Sequence, residues 1–286
     1  MIKDLTIVVI DSLNYDATVM ALDQTKKIFP DAKVLIFSDK NFYPCDTFVE
    51  VRKFNGHGHS HICLHEVPKY VDTNWALYIQ YDGFPTQAHL WDDRFLDYDY
   101  IGAEMWDRNQ QSVVGNGGLS LRSKKLLDLQ IHLKQDIEGE HWDWLEDQLI
   151  SFKYRNWLES QGVTYAPLEL ARKWSKDFPQ GSPDTFGFHA HNLIPEYCSK
   201  EFTLEWLNKI DDSVFKSKNL FCIPYYLWQW GELDLLRNFM LRAIEVRPDW
   251  TKECWDDCRW RIGTVYTEVE LWEIQKMIYI YGYTGP

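Results

Sequence analysis

The chain has 286 residues, which is enough for one or two domains with a large buried core. Hydrophobic residues make up 45% and charged residues 26%, which excludes global disorder and a fibrous repeat. Lys and Arg number 30 against 43 Asp and Glu, which gives a net charge of −13. This charge disfavours nonspecific electrostatic binding to nucleic acid or anionic lipid. No apolar run approaches the roughly 20 residues that a membrane-spanning helix needs.

Cysteine content and the N-terminal segment indicate the cellular setting. Six cysteines are too sparse for a disulfide scaffold, and MIKDLTIVVID is typical of a buried strand and not of a signal peptide. We therefore expect reduced thiols and a cytoplasmic location. Cys254 and Cys258 share a helix face by spacing, but no second pair at zinc spacing follows them, which favours packing. The 14 Trp indicate a heavy aromatic core, or platforms for carbohydrate where the rings are exposed.

The first half of the chain alternates between strand and helix patterns. Strands are predicted over 5–10, 33–37, 47–51 and 75–80, with helices over 17–29 and 64–70. This alternation indicates an α/β domain with a mainly parallel sheet, in which ligands lie beyond the carboxyl ends of the strands. Asp11, Ser38, Asp39 and Asp82 all follow such ends, although Asp and Ser are also common turn residues.

The second half changes character. Two further strands are predicted over 98–102 and 113–121, followed by a helix over 124–133 that Ser123 would cap. After residue 200 the alternation stops, and helices are predicted over 204–210, 233–246 and 267–279. We therefore predict an α/β domain over residues 1–199 and a helical C-terminal extension over 200–286 that packs on it.

Two motifs suggest ligand binding at the sheet edge. QYDGF places Asp82 at a strand end, where a carboxylate can bind Mg2+ or Mn2+, or can simply belong to a turn. VGNGGLSLRS contains Asn116, Gly117 and Gly118, and paired glycines permit close approach of the backbone to a ligand. Asn-Gly between apolar runs is equally a hairpin signal. The motif lacks the lysine and the spacing of a phosphate-binding loop.

Two other segments carry titratable side chains. In HWDWLEDQ, Glu146 and Asp147 would lie in the first turn of a helix, where the macrodipole favours the anionic form that a general base requires. In FGFHAHN, an extended backbone would place His189 and His191 on one side, where an imidazole could complete a cation site begun by Asp82, or could simply pack. HGHSH, residues 57–61, is interpreted as a mobile loop with adventitious metal binding.

Six segments match one family in order. The run IQYDGF, WDDRFLDYDYIGAEMW, VGNGGLSLRSKKLL, EDQLI, GVTYAPLELARKWS and FGFHAHN resembles an uncharacterised bacterial and viral family, a domain of unknown function that is similar to glycosyltransferases. The resemblance covers about residues 64–192. It implies a GT-A-like, Rossmann-related fold with a mixed, mainly parallel sheet flanked by helices, which binds a nucleotide sugar.

The resemblance also assigns roles to residues. It implies that Asp11, Tyr15 and Asp39 hold the nucleotide and that Asn116, Gly117 and Gly118 line the donor sugar. Gln80-Tyr81-Asp82 stands where such enzymes carry an Asp-x-Asp metal motif. The resemblance therefore implies that Asp82 and the later His189 are ligands of Mn2+ or Mg2+. Gln80, in place of the first Asp, would lie beside them. Asp147 or Glu146 would be the catalytic base.

The sequence thus predicts a glycosyltransferase that moves a sugar from a nucleotide sugar such as a UDP-sugar to an acceptor hydroxyl, with inversion. A retaining mechanism, which would not use Asp147 as base, stays open. The acceptor is a glycan, a small molecule or a hydroxymethylated base in viral DNA. If the acceptor is DNA, arginines of the tail would form a phosphate-binding face; otherwise they only solvate the tail helices. These arginines lie at 237, 242, 247, 259 and 261. The alternative is a non-catalytic nucleotide- or sugar-binding module, since Gln80 replaces the first Asp.

Overall fold

A computed structural model describes residues 2–106, 111–135, 145–177, 184–216, 220 and 222–246. The chain divides into two compact units. The first comprises residues 1–177 and 183–189, and the second comprises residues 178–182 and 190–286. The sequence-based boundary at residue 199 and the packing of the tail on the domain remain predictions.

Among the described residues of the first unit, nine strands form two sheets. They are β1 (Leu5–Ile10), β2 (Lys33–Ser38), β3 (Thr47–Glu50), β4 (Trp75–Ile79), β5 (Gly83–Pro85), β6 (Tyr100–Trp106), β7 (Ser112–Ser123), β8 (Ser175–Lys176) and β9 (Gly187–His189). The larger sheet has the order β3-β2-β1-β4-β7-β6. Strand β7 is antiparallel to both of its neighbours, and the other neighbouring strands are parallel. The smaller sheet has the order β5-β9-β8.

The helices of the first unit are α1 (Tyr15–Ile28), α2 (Gly56–His61), α3 (Lys124–Gln130), α4 (Glu146–Gln148), α5 (Arg155–Ser160) and α6 (Leu168–Trp174). Two of them continue into π-helical turns, α2 into Ile62–Glu66 and α4 into Leu149–Lys153. The second unit contains α7 (Ile194–Tyr197), α8 (Lys200–Lys209), α9 (Ile223–Gln229) and α10 (Leu233–Val246). The predicted fold class, a mixed and mainly parallel sheet with flanking helices, is confirmed.

The central strands explain where a ligand site can form. Every residue of β1 is buried, as expected for a strand covered on both faces. The neighbours β2 and β4 run parallel to β1, so the carboxyl ends of all three strands meet at one edge of the sheet. Asp11, Asp39 and Asp82 follow these three ends. The predicted placement of these carboxylates at one edge is confirmed.

One local prediction was wrong, and two others are refined by the structure. HGHSH is not a loop, because Asn55 caps α2 by accepting the Gly58 N–H at 3.0 Å. The predicted helix over 64–70 is confirmed as helical backbone, formed by the π-helical turn and the 3-10 turn Val67–Lys69 that follows it. The strand predicted over 113–121 is confirmed within β7, and it includes the Asn116–Gly118 segment, so the alternative of a hairpin turn there does not hold, since Asn116 pairs with Ala103 of β6. Side-chain capping and strand pairing therefore outweighed the glycine signals.

The second unit confirms two of the predicted tail helices, as α8 and α10. Arg242 of α10 is paired with Asp212 at 2.7 Å and donates to the carbonyls of Leu207 and Ile210, so this guanidinium contributes to helix packing. The phosphate-binding face remains a prediction. Other tail predictions fall outside the described residues: the helix over 267–279, Cys254 with Cys258, and the arginines at 247, 259 and 261. Along the described stretches, no helix combines the length and apolarity required to cross a membrane.

Part of the aromatic content lies in the core, where Trp174 and Trp206 are the buried tryptophans among the described residues. Trp174 is fully buried, and its indole N–H donates to the Leu119 carbonyl at 2.9 Å. Its ring lies 5.1 Å from those of Phe95 and Phe186. This cluster packs beside β9 and thereby holds the short strand that ends in His189. Trp142 and Trp144 lie outside the described residues.

Candidate active site

A tight turn follows β4 and presents Asp82. The Gln80 N–H donates to the Gly83 carbonyl at 2.8 Å, and the Gly83 N–H donates back to the Gln80 carbonyl at 3.0 Å. Tyr81 and Asp82 therefore occupy the two corner positions, and β5 begins immediately afterwards. Asp82 is only 5% exposed, so its carboxylate lies within the fold and not on an open loop.

Pairing of β5 with β9 brings His189 to this turn. Gly83 pairs with His189 in the antiparallel register, which places the imidazole beside Gln80 and Asp82. His189 Nε2 lies 3.2 Å from the Gln80 amide oxygen and 4.0 Å from Asp82 Oδ1. The structure thus brings together the aspartate, the glutamine and the histidine that the sequence resemblance grouped.

Asp177, which sequence reasoning missed, contacts the other nitrogen of the imidazole. It follows β8, the parallel neighbour of β9, and its Oδ1 lies 3.0 Å from His189 Nδ1. Burial alone would lower the pKa of His189, but the Asp177 hydrogen bond and the charges of Asp82 and Asp147 raise the pKa to about 9. Nothing in KDFP distinguishes Asp177 from a surface acid, so only the pairing of β8 with β9 reveals it.

Two glycines make room for the imidazole. A Cβ on Gly83 or on Gly118 would collide with the His189 ring. Gly118 therefore serves the protein's own histidine, whereas its contact with a donor sugar remains a prediction. Asn116 stabilises this segment, because its side-chain oxygen accepts the Gly118 N–H at 2.9 Å.

Asp147 and Glu146 lie on the other side of the same glycine segment, in the first turn of α4. Asp147 Oδ2 accepts the Gly117 N–H at 3.2 Å, and Oδ1 accepts the Gln148 N–H at 2.7 Å. Although a helix start was expected to favour the anion, burial first and the neighbouring Glu146 second raise the pKa of Asp147 to about 7. A carboxylate with a pKa near 7 matches the requirement for a general base at neutral pH.

Glu146 pairs with a buried arginine that sequence reasoning also missed. The Arg122 side chain is fully buried, and its Nη2 lies 3.3 Å from Glu146 Oε1. Its guanidinium lies over the Tyr78 ring at 3.9 Å and donates from Nε to Ser120 at 3.2 Å. Glu146 therefore balances an internal positive charge, which leaves Asp147 as the better candidate base.

The carboxyl ends of β1 and β2 carry the predicted nucleotide residues. The Tyr15 hydroxyl donates to Asp39 at 2.5 Å, and this hydrogen bond is the main reason that the pKa of Asp39 is lowered. The Lys40 ammonium lies 3.7 Å from the Tyr15 ring centroid. Asp11 accepts the backbone N–H groups of Leu13 and Asn14 at 2.8 and 2.9 Å, and also the Thr18 hydroxyl. Asp11 thus shapes the entry to α1, while Tyr15 and Asp39 form a polar pair at the sheet edge.

His191 does not share a strand with His189. β9 ends at His189, Ala190 has a φ of 151°, and a 3-10 turn begins at His191. The His191 ring is buried and lies 6.1 Å from that of Trp206. The extended segment expected from FGFHAHN is therefore interrupted after its first histidine.

Comparison with known proteins gives a family of unknown function. Residues 53–189, slightly less than half of the chain, match the model of a family described as "Protein of unknown function (DUF5672)". This range nearly coincides with the segment that carried the resemblance above. No curated protein matches the chain by sequence.

Solved structures with similar folds include two transferases. One is the galactosyltransferase LgtC bound to donor and acceptor sugar analogs, with 13% identity, coverage of 73% of this chain and 98% of that chain, and a TM-score of 0.41. Another is a glycosyltransferase that acts in glycosylation of the major capsid of PBCV-1, with 12% identity, coverage of 65% and 93%, and a TM-score of 0.39. The bifunctional IspDF from Campylobacter jejuni has 10% identity, coverage of 68% and 54%, and a TM-score of 0.41, so the chain spans about half of its length. At these TM-scores the likenesses carry no inference about activity.

Proposed function

We propose that this chain is a glycosyltransferase that moves a sugar from a nucleotide-sugar donor, in the first instance a UDP-sugar, to an acceptor hydroxyl with inversion. The carrying observation is the approach of His189 Nε2 to 4.0 Å from Asp82 Oδ1, since these are the two side chains that the sequence resemblance assigned to one metal ion. Asp147 in α4 accepts the N–H of Gly117, the residue next to the glycine that faces the His189 ring, which supports a base close to the same centre.

The side chains around His189 fit a divalent cation, which binds Nε2 by displacing the proton that a pKa of about 9 keeps on the imidazole at neutral pH. Asp82 offers a carboxylate oxygen, Gln80 an amide oxygen and His189 an imidazole nitrogen, a mixed oxygen and nitrogen donor set that suits Mn2+ better than Mg2+. Asp177 holds Nδ1 of the imidazole, the carboxylate–histidine arrangement common around protein-bound metals. When bound, the ion would neutralise the diphosphate leaving group.

The chain's own residues supply the remaining steps. Asp147 in its ionised form accepts the proton of the acceptor hydroxyl, while the bond between the anomeric carbon and the diphosphate breaks and the new glycosidic bond forms. Backbone N–H groups and the polar pair of Tyr15 and Asp39 orient the nucleotide at the carboxyl ends of β1 and β2. Glu146 remains paired with Arg122 throughout the reaction and balances the positive charge of the buried guanidinium.

The charges of the chain favour some classes of acceptor over others. The net charge of −13 and the internal pairing of Arg242 with Asp212 both disfavour a DNA acceptor. We therefore propose a glycan or a small molecule as the acceptor. Binding of the protein to duplex DNA at physiological salt would instead favour the hydroxymethylated base in viral DNA.

A non-catalytic nucleotide- or sugar-binding module is the second candidate. The observation that favours it is Gln80, whose amide oxygen faces His189 where the transferase motif has a carboxylate. An amide contributes no negative charge, and a weaker hold on the cation would suit binding without turnover.

Thermal shift with a panel of nucleotide sugars, each with and without Mn2+, tests donor and metal together, because ligands stabilise the folded state by mass action. The transferase proposal expects Mn2+-dependent stabilisation by one nucleotide class and slow hydrolysis of that donor without an acceptor. Stabilisation without hydrolysis would support the binding module. The absence of stabilisation by any nucleotide sugar, with or without Mn2+, would contradict both.

A further inference from the structure

A second group of side chains with metal-ligand chemistry lies between α2 and α4. His59 on α2, Cys63 on the π-helical turn that continues it, and Glu146 at the start of α4 offer ligand atoms that all lie within 4.8 Å of one another. His59 Nδ1 is 3.6 Å from Cys63 Sγ and 3.9 Å from Glu146 Oε2. The HGHSH motif, which includes His59, has no part in the proposed transfer reaction.

The arrangement of the three atoms favours common ligation over a proton relay. In a relay from thiol to imidazole to carboxylate, the two partners contact opposite ring nitrogens. Here a single nitrogen, Nδ1 of His59, faces both the sulfur and the carboxylate. Zinc bonds of roughly 2.0–2.3 Å place tetrahedral ligand atoms about 3.5 Å apart, so only small shifts separate the observed positions from coordination.

The surrounding structure fixes these side chains in place. The Glu146 N–H donates to Ser60 Oγ at 3.2 Å, which ties the start of α4 to the helix that carries His59. Arg122 holds Glu146 Oε1, and the opposite oxygen is thereby turned toward His59. The Cys63 carbonyl accepts the Gln130 side-chain N–H at 2.6 Å, which anchors the π-helical turn. π-helical turns within helices are frequent at functional sites.

We propose that His59, Cys63 and Glu146 bind one transition-metal ion of the Zn2+ class, at a centre separate from the Asp82–His189 pair. Cys63 is fully buried and Glu146 nearly so, whereas the His59 side chain is 21% exposed and provides the route from solvent. The ion binds the thiolate after the thiol proton leaves to solvent. The thiolate and the carboxylate balance its two positive charges, while Arg122 remains on the far carboxylate oxygen.

The thiolate separates this centre from the proposed catalytic metal. Asp82, Gln80 and His189 offer no sulfur atom, so a thiolate signal cannot arise from the proposed catalytic metal. The proposal also strengthens the assignment of Asp147 as base, because Glu146 is then committed to the ion and to Arg122. The metal centre holds whether or not the chain transfers sugars.

The test is titration of the metal-free, full-length chain with Co2+, followed by its near-ultraviolet absorption. A thiolate-to-cobalt charge-transfer band should appear and saturate at one equivalent, and an excess of Zn2+ should abolish it. Cys63→Ser and His59→Gln should lose the band. Cys45→Ser, a thiol elsewhere in the same unit, the double variant Cys254→Ser with Cys258→Ser, and Asp82→Asn should all keep it.

Circular dichroism establishes that each variant is folded, and His59→Gln keeps the test valid where the buried Cys63→Ser does not fold, since the His59 side chain is partly exposed. No charge-transfer band in the unmutated chain, or a band of full size in folded Cys63→Ser or His59→Gln, would overturn the proposal. Loss of nucleotide-sugar binding in Asp82→Asn with an intact cobalt band separates this centre from the proposed transferase site.

Discussion

His189 Nε2 and Asp82 Oδ1 lie 4.0 Å apart although the two residues are distant in sequence. The relationship follows from one strand pair, since β5 begins directly after Asp82 and its first residue, Gly83, pairs with His189. A Cβ on Gly83 or Gly118 would displace the imidazole, so the short second sheet and two glycines together position this histidine. The candidate cation site is therefore a product of sheet pairing and not of a local motif.

Asp82→Asn should abolish turnover and Mn2+-dependent nucleotide binding, because the amide removes the anionic oxygen donor while preserving the shape of the turn. Thermal denaturation without ligand should stay close to that of the unmutated chain. Isothermal titration of Mn2+ in the presence of the nucleotide measures the effect. Full activity in the folded Asp82→Asn protein would remove this residue from the site.

His189→Ala should weaken Mn2+-dependent donor binding, whereas His191→Ala should have the smaller effect. The reason is positional: only His189 faces Asp82 and Gln80, and His191 packs against Trp206. Isothermal titration with Mn2+ and nucleotide checks both variants. If His189→Ala lowers thermal stability but leaves the Mn2+ affinity unchanged, the histidine is a packing residue.

Part of this site was predictable from sequence and part was not. The strands over 5–10 and 33–37 and the placement of Asp11, Asp39 and Asp82 at one edge follow from apolar runs that end in polar residues, a local signal. Asp177 and Arg122 had no such signal, because their roles depend on the pairing of β8 with β9 and on burial within β7. The helix at HGHSH was missed since a single side-chain cap, Asn55, outweighs two glycines.

Asp177→Asn should lower Mn2+ affinity by about 10–100-fold, the range typical for loss of a carboxylate that orients a metal-binding histidine. The asparagine still contacts Nδ1 but no longer supplies the charge that polarises the ring. Asp184→Asn is the matched control, since Asp184 pairs with Lys176 at the surface. Equal Mn2+ affinities in the two variants would argue against a positioning role for Asp177.

Asp147→Asn and Glu146→Gln should fail in different ways. Asp147→Asn should reduce kcat with little change in donor affinity, the pattern expected when an interaction exists only in the transition state. Glu146→Gln leaves the buried Arg122 without its charged partner, which costs about 3–5 kcal/mol for comparable buried pairs. Chemical denaturation and single-turnover kinetics distinguish the two. A stable but inactive Glu146→Gln, beside an active Asp147→Asn, would reverse the assignment of the base.

The pH dependence of turnover should follow the ionisation of Asp147. Its pKa is raised to about 7, first by burial and second by Glu146, and a general base works only when deprotonated. Turnover should therefore rise with pH through an apparent pKa at or below about 7, because a cation bound near Asp82 and an ion bound to Glu146 each add positive charge. Well below that pKa, turnover should fall about tenfold per pH unit.

Glu146→Gln gives the sharper form of this test. When the His59–Cys63 centre holds no ion, removal of the neighbouring negative charge, together with the release of Arg122, lowers the pKa of Asp147 while burial continues to raise it. The acidic limb of the kcat profile should move to lower pH in the folded variant, and Glu146→Asp should restore it toward its original position. A limb that stays in place in Glu146→Gln, or that survives in Asp147→Asn, would assign the titrating group elsewhere.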